Sequence, residues 1–210
     1  MALQSRRLND GQPSTQTMDR SPDSQPDAIP AVTDITTAYG QVRLIWVHHA
    51  SGPKVRRIIL PGTPRSGAVT IEGMPSVQEP REKGIQTLIA GIRSFLAGDD
   101  VLFDIDLLDL DRCSSFRRRV LLAEYGIPRG YVSTYGRIAR YLENPGAARA
   151  VGNALAMNPF PLVIPCHRAL RSDGRLGGFQ AGLDMKQGLL EMEGVRFRED
   201  GRVFMEHMWY

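Results

Sequence analysis

The stretch Asn158-Pro159-Phe160-Pro161-Leu162-Val163-Ile164-Pro165-Cys166-His167-Arg168 sets a thiol directly before an imidazole and a guanidinium, at the end of an apolar run. Its prolines hold the chain extended on the approach to the cysteine. Cationic neighbours favour the thiolate, the nucleophile of cysteine chemistry. A small buried hydrophobe is the competing role for a lone cysteine. A polar His167-Arg168 pair at the end of a core strand argues for reactivity instead. The turn that follows, Ser172 to Gly178, suits a pocket wall where backbone approaches a ligand.

Upstream lies Ala147-Ala148-Arg149-Ala150-Val151-Gly152-Asn153-Ala154-Leu155-Ala156-Met157. It reads as a helix of low relief with one long side chain, Arg149. Asn144 is its expected N-cap and Pro145 its first helical position. Ser133 or Thr134 caps a short helix running to about Leu142, and Ser114 or Ser115 caps another over Phe116 to Tyr125. Two short helices joined by a tight glycine-containing turn predict a helix-turn-helix. Small residues suit close internal packing. They also suit approach to a DNA minor groove, only about 6 Å wide, where an arginine can fill the space of a displaced base.

The first half differs in character. Residues 1–34 are rich in Ser, Gln, Asp and Pro and read as a disordered arm. Val42 to His48 and Val55 to Leu60 are β-branched runs around the turn Ala50 to Lys54, a predicted hairpin. Ala68 to Glu72 suggests a third strand. Ile85, Leu88, Ile89, Ile92, Phe95 and Leu96 recur at helical spacing within 80–97. Leu102 to Leu108 alternates apolar and acidic residues, the pattern of a strand. The expected organisation is an α+β chain, with an arm over 1–34, a small α+β unit over 35–110 and a mainly helical unit over 111–210.

Composition sets outer bounds. The 210 residues are 42% hydrophobic and 23% charged, enough to bury a core. No 18-residue apolar stretch occurs, which argues against a membrane span, and the N-terminus has no secretory h-region. Two cysteines, Cys113 and Cys166, make a disulfide framework improbable and a reducing compartment the default. Net charge is +3, but Arg112 to Gly182 holds eleven arginines, no lysine and three acids, a net of +8. That concentration reads either as a solvated basic face or as a phosphate-binding surface.

These residues closely resemble the O6-alkylguanine-DNA alkyltransferases, the methylated-DNA–protein-cysteine methyltransferases. The resemblance covers roughly Phe116 to Val195. It rests on Ile164 to Arg168, on Arg149 to Pro159, and on Leu176-Gly177-Gly178-Phe179 running into Met185-Lys186, Leu189-Leu190 and Glu193-Gly194. Residues 35–110 match loosely, as a variable ribonuclease-H-like sheet with a helix. The resemblance implies a single-use repair protein. It would flip O6-methylguanine, and also O4-methylthymine, out of double-stranded DNA bound through the minor groove, and take the alkyl group onto Cys166. Glu193 would orient His167, and His167, through a water, would accept the thiol proton. Tyr135, fourteen residues before Arg149 as in the family, would donate to a ring nitrogen of the base. Arg149 would be the finger, and Asn158 would brace the helix end. Ala148, Ala150, Gly152, Thr134 and Arg168 would contact DNA. Leu155, Pro161, Ala169, Phe179 and Gln180 would line the pocket. The resemblance also implies a monomer, no cofactor, no membrane, and a cytoplasmic or, in a eukaryote, nuclear location.

Some positions depart from the family pattern. Phe179 stands where tyrosine is frequent, Gln180 and Ala181 where smaller residues are common, and Ala169 where a β-branched residue is usual. His48, His49 and Cys113 lack the spacing of a zinc site, so no metal is expected. Two rival functions are a lesion-marking protein without chemistry, which in this family lacks the cysteine, and a cysteine hydrolase. The presence of Cys166 argues against the first, and adjacent Cys166-His167 with an arginine-bearing alanine helix does not fit the second, whose nucleophile and base usually come from distant parts of the chain.

Overall fold

The computed structural model describes residues 29–63 and 71–210. Strands β1 (Ala31–Thr37), β2 (Gly40–His49) and β3 (Gly52–Ile59) form an antiparallel sheet in that order. The predicted hairpin is β2–β3. Strand β1 takes in residues 31–34, which composition assigns to the arm. Its polar residues are matched across space: Thr33 Oγ1 accepts from Trp46 Nε1 at 3.0 Å and donates to the Val77 carbonyl at 2.8 Å. Arg43 holds Asp34 with bonds of 2.6 and 2.9 Å from the neighbouring strand. Local composition does not show such partners. Residues 1–28 of the expected arm lie outside the described residues, as do Ala68 to Thr70 of the expected third strand; Ile71 and Glu72 are not in a strand.

Helix α1 (Lys83–Ala97) buries Ile85, Leu88, Ile89, Ile92, Phe95 and Leu96, the apolar stripe read from spacing. Each such side chain contributes about 1.5–3 kcal/mol when fully buried. Gly98, in the left-handed conformation at φ 106°, ends the helix with its N–H on Phe95 and Ser94 carbonyls. The expected strand over Leu102 to Leu108 is not formed. Asp104 accepts from the Asp106 N–H at 2.9 Å and starts a 3-10 turn over Ile105–Leu107, and Leu102 is 91% exposed. Leu108 alone bridges to Val55 of β3.

Ser114 caps helix α2 (Ser115–Tyr125), accepting from the Arg117 N–H. Strand β4 (Ser133–Thr134) leads directly into helix α3 (Tyr135–Tyr141), capped by Thr134. After a 3-10 turn with Pro145 at its start comes helix α4 (Ala148–Ala156). Helix α4 packs on both α2 and α3, giving the expected helix-turn-helix. Strand β5 (Ala169–Leu170) pairs in parallel with β4, and helix α5 (Leu183–Met192) ends at Glu193.

The two halves share one apolar core, running from Leu44 and Phe95 through Val120 to Phe160, Cys166 and Leu189. A main-chain bond also joins them: Ile58 of β3 donates to the Pro159 carbonyl at 2.8 Å. Among the described residues no helix is long and apolar enough to cross a membrane.

Candidate active site

The loop between α4 and β5 carries the candidate reactive residues, and Asn158 shapes it. Its side chain is fully buried. Its Nδ2 donates to the Ile164 carbonyl at 3.0 Å, and its Oδ1 accepts from the Phe160 N–H at 2.9 Å. One amide thus ties both ends of a tight loop. Gln180 donates to the Asn158 carbonyl at 2.5 Å and fastens the downstream wall to the same point. Within the loop Leu162 sits at φ 74°, a left-handed conformation uncommon for a branched residue.

Cys166, His167 and Arg168 form a 3-10 turn at the loop's end, and all three are buried. His167 Nε2 lies 2.8 Å from Glu193 Oε1. Arg168 donates Nε to Glu193 Oε2 at 2.9 Å, Nη2 to Oε1 at 2.7 Å, and Nη1 to the Ile127 carbonyl at 2.5 Å. Burial raises the Glu193 carboxyl, but His167 and the Arg168 guanidinium outweigh it and hold the group at about 2. An ionised carboxylate only accepts, so His167 Nε2 must carry the hydrogen. Burial lowers the imidazole below its usual range despite Glu193. His167 is therefore neutral, and its buried Nδ1, with no partner among the described residues, presents a lone pair.

Two expectations are corrected here. Sequence adjacency suggests a ready thiolate; the structure holds a buried thiol. Burial pushes Cys166 up to about 11, outweighing the lowering effect of a bond from Asn158. The neighbouring cation does not help, because Arg168 is spent on Glu193. For the same reason Arg168 is not a DNA-facing residue: it is 9% exposed and committed to a buried ion pair. Arg129 is likewise engaged, donating to the Gly98, Asp99 and Met192 carbonyls. Arg149, Arg140 and Arg171 are exposed. The basic segment is thus partly internal scaffolding.

The remaining candidates divide by position. On α4, Arg149, Ala150, Asn153 and Ala156 form the exposed face, Ala148 and Gly152 are half-buried, and Leu155 is buried in the core. Thr134 is buried and its hydroxyl is used as the α3 cap, so its place among DNA contacts is corrected. Ala169 is fully buried in β5, and Pro161 is also buried; Phe179 is half-buried, its ring 6.4 Å from that of His167. Tyr135 lies against Gly177: a Cβ on that glycine would fall 1.9 Å from the Tyr135 oxygen. Burial pushes the Tyr135 phenol up to about 12, so it remains an O–H donor at neutral pH.

Sequence reading gave no individual role to three contributors. Gly177 is one. Lys186 is fully buried and donates to the Ala169 carbonyl at 2.7 Å. Glu124 is also fully buried, and neither carboxyl oxygen has a hydrogen-bond partner among the described residues. The spacing does carry a trace of it: Glu124 follows the buried Val120 by four residues, on the inner face of α2. A cavity of about 330 Å³ lined by Phe103, Tyr125, Arg129, Leu162, Val163 and Pro165 does not include Cys166, His167 or Tyr135. It borders the site only through Arg168.

The sequence profile of the 6-O-methylguanine DNA methyltransferase DNA-binding domain matches residues 115–195. A methylated-DNA–protein-cysteine methyltransferase of Methanothermobacter thermautotrophicus is 50% identical over 111 residues, covering 53% of this chain and 62% of that protein. The chain thus spans about three fifths of that relative's length. The protein of the same name from Mycobacterium leprae is 38% identical over 54% of this chain and 68% of its own length. In structure, the chain is similar to Mycobacterium tuberculosis OGT in complex with DNA, with a TM-score of 0.65 and 30% identity over 78% of this chain and 92% of that one. The profile match takes in Cys166, His167, Tyr135 and Glu193 together, the structural likeness extends over both halves, and the chain belongs to the methylated-DNA–protein-cysteine methyltransferase family.

Proposed function

We propose that the protein repairs O6-alkylguanine in double-stranded DNA, and by extension O4-methylthymine, by moving the alkyl group irreversibly onto Cys166. The observation that carries this is the state of His167. Its Nε2 is fixed on Glu193 while its Nδ1 keeps a buried, unpartnered lone pair on the residue next to the thiol. A buried thiol with a raised ionisation needs such a base. His167 takes the thiol proton through a water, and Sγ attacks the alkyl carbon. The carbon–O6 bond breaks, and its electron pair passes to the base. Tyr135 protonates a ring nitrogen, so that the base leaves neutral. The proton held by His167 then restores the Tyr135 hydroxyl. The new thioether is not readily hydrolysed, so each molecule reacts once.

A buried thiol cannot reach a base stacked in a duplex, which calls for flipping. The exposed α4 face, three small or short side chains around Arg149, supports a monomer docking in the minor groove with Arg149 in place of the extruded base. M. tuberculosis OGT has been solved in complex with DNA, which favours the same partner. Residues 111–210 would hold both functions.

Intact-protein mass after incubation with a duplex carrying one O6-methylguanine tests the reaction. The expected result is a gain of one methylene group, absent in Cys166→Ser. Tight lesion binding without a mass gain would overturn it in favour of a lesion marker. For the finger, Arg149→Ala should slow repair of duplex at least about tenfold, since holding a base unstacked costs a few kcal/mol. Reaction with free O6-benzylguanine should be nearly unchanged. Equal losses on both substrates would remove Arg149 from that role.

A further inference from the structure

Glu124 is unused by the reaction just described. It is fully buried on α2, and both carboxyl oxygens lack hydrogen-bond partners among the described residues. A carboxylate in that condition is strongly disfavoured, because nothing replaces the water it gave up. Its α2 neighbours Val120, Leu121 and Ala123 share one apolar core with Cys166. Lys186 of α5 and Arg168 of the turn before β5 act on it electrostatically. Cys166, Tyr135 of α3 and Tyr210 of the C-terminal tail all lie within its electrostatic reach. Lys186, also buried, spends one of its three hydrogens on the Ala169 carbonyl.

We propose that Glu124 is a positioning residue acting through Cys166: a buried acid that stays neutral while the thiol reacts and, once ionised, withholds the thiolate. Burial pushes the Glu124 carboxyl up to about 8, against the pull of Lys186 and Arg168. Below that point the site carries the Lys186 cation, with Arg168 already matched by Glu193, and that cation favours a developing thiolate. Above it, the negative charge on Glu124 acts on Cys166 and Tyr135 and opposes ionisation of both. Lys186 is driven down to about 8 by its own burial, so it loses its compensating charge over the same range. The pair thus turns the pocket from cationic to anionic as pH rises. The consequence for alkyl transfer rests on the proposed function, but the effect on the thiol does not.

The test is the rate of Cys166 alkylation by iodoacetamide across about pH 6 to 10, in full-length protein carrying Cys113→Ser, with and without Glu124→Gln. Below about pH 7 the two rates should coincide. Above about pH 8 the glutamine protein should react about three- to tenfold faster, the usual effect of removing one buried charge beside a thiol. Superimposable profiles would overturn the proposal. Glu124→Leu, which has no amide to satisfy, should give the same profile, so poor folding of the glutamine protein does not decide the outcome. Stability supplies a second readout. A carboxyl raised in the folded state contributes least once it must ionise, so wild-type protein should lose thermal stability relative to Glu124→Gln as pH climbs from about 4.5 to about 8. No relative loss would also count against the proposal. If the profiles differ but no methyl group passes from O6-methylguanine, the proposed function fails and the Glu124 assignment stands.

Discussion

Replacing Glu193 by glutamine should cost about 3–5 kcal/mol of stability and slow alkyl transfer by about 10²–10⁴-fold. Two partners depend on that carboxylate. Arg168 directs two guanidinium hydrogens to it, and His167 Nε2 sits 2.8 Å from one of its oxygens. Glutamine keeps the shape and removes the charge, so Arg168 becomes a buried cation without a counter-ion. The amide can also offer a hydrogen to Nε2. That favours the tautomer with hydrogen on Nδ1, which can no longer accept the thiol proton. Denaturant unfolding and single-turnover rates on O6-benzylguanine check the two effects separately. The pH dependence follows from the same carboxylate. Its folded value of about 2 lies below the ordinary 4.5, so its stabilisation is complete above about pH 4.5 and lost as pH falls towards 2. The glutamine protein should lack that acid-side loss. An unchanged acid limb would mean that Glu193 is not the group whose protonation loosens the fold.

Gly177→Ala should lower alkyl transfer by about 100-fold while leaving the core intact. The added Cβ would lie 1.9 Å from the Tyr135 oxygen, 2.8 Å from Cζ and 3.0 Å from Cε2. Those atoms belong to a ring held between Gly177 and Gly152, so the ring or the pocket wall must move by an ångström or more. Either motion separates the proposed proton donor from the base. A double-mutant cycle decides the cause. In a Tyr135→Ala background the same change should cost little more, because the clash has gone. Full additivity would place the damage in the Gly177 loop itself.

Where the sequence is legible, short-range physics decides. The stripe on α1 and the β2–β3 hairpin follow from spacing and turn residues within a few positions of one another. The Asn158 side-chain bonds are similarly local, since their partners are Phe160 and Ile164. Misreadings occur where a distant partner decides. Arg168 looks like a surface or thiolate-stabilising cation until Glu193, twenty-five residues on, claims it. Thr33 and Asp34 look like tail residues until Trp46 and Arg43 answer them from the next strand. Leu102 to Leu108 alternates like a strand, yet the Asp104 side chain captures its own backbone first.

The bond from Ile58 to the Pro159 carbonyl has a consequence for how freely the two halves of the chain can change. It joins them through backbone atoms, so it asks β3 for an edge strand and not for any particular side chain. A sheet of quite different sequence could seat the loop equally well, provided its inward face stayed apolar and its last strand ended at the same height. The proposed chemistry, by contrast, depends on named side chains from Tyr135 to Glu193. One half is held to an alphabet and the other to a shape and an apolar face, and the profile match over residues 115–195 falls within the half where spelling counts.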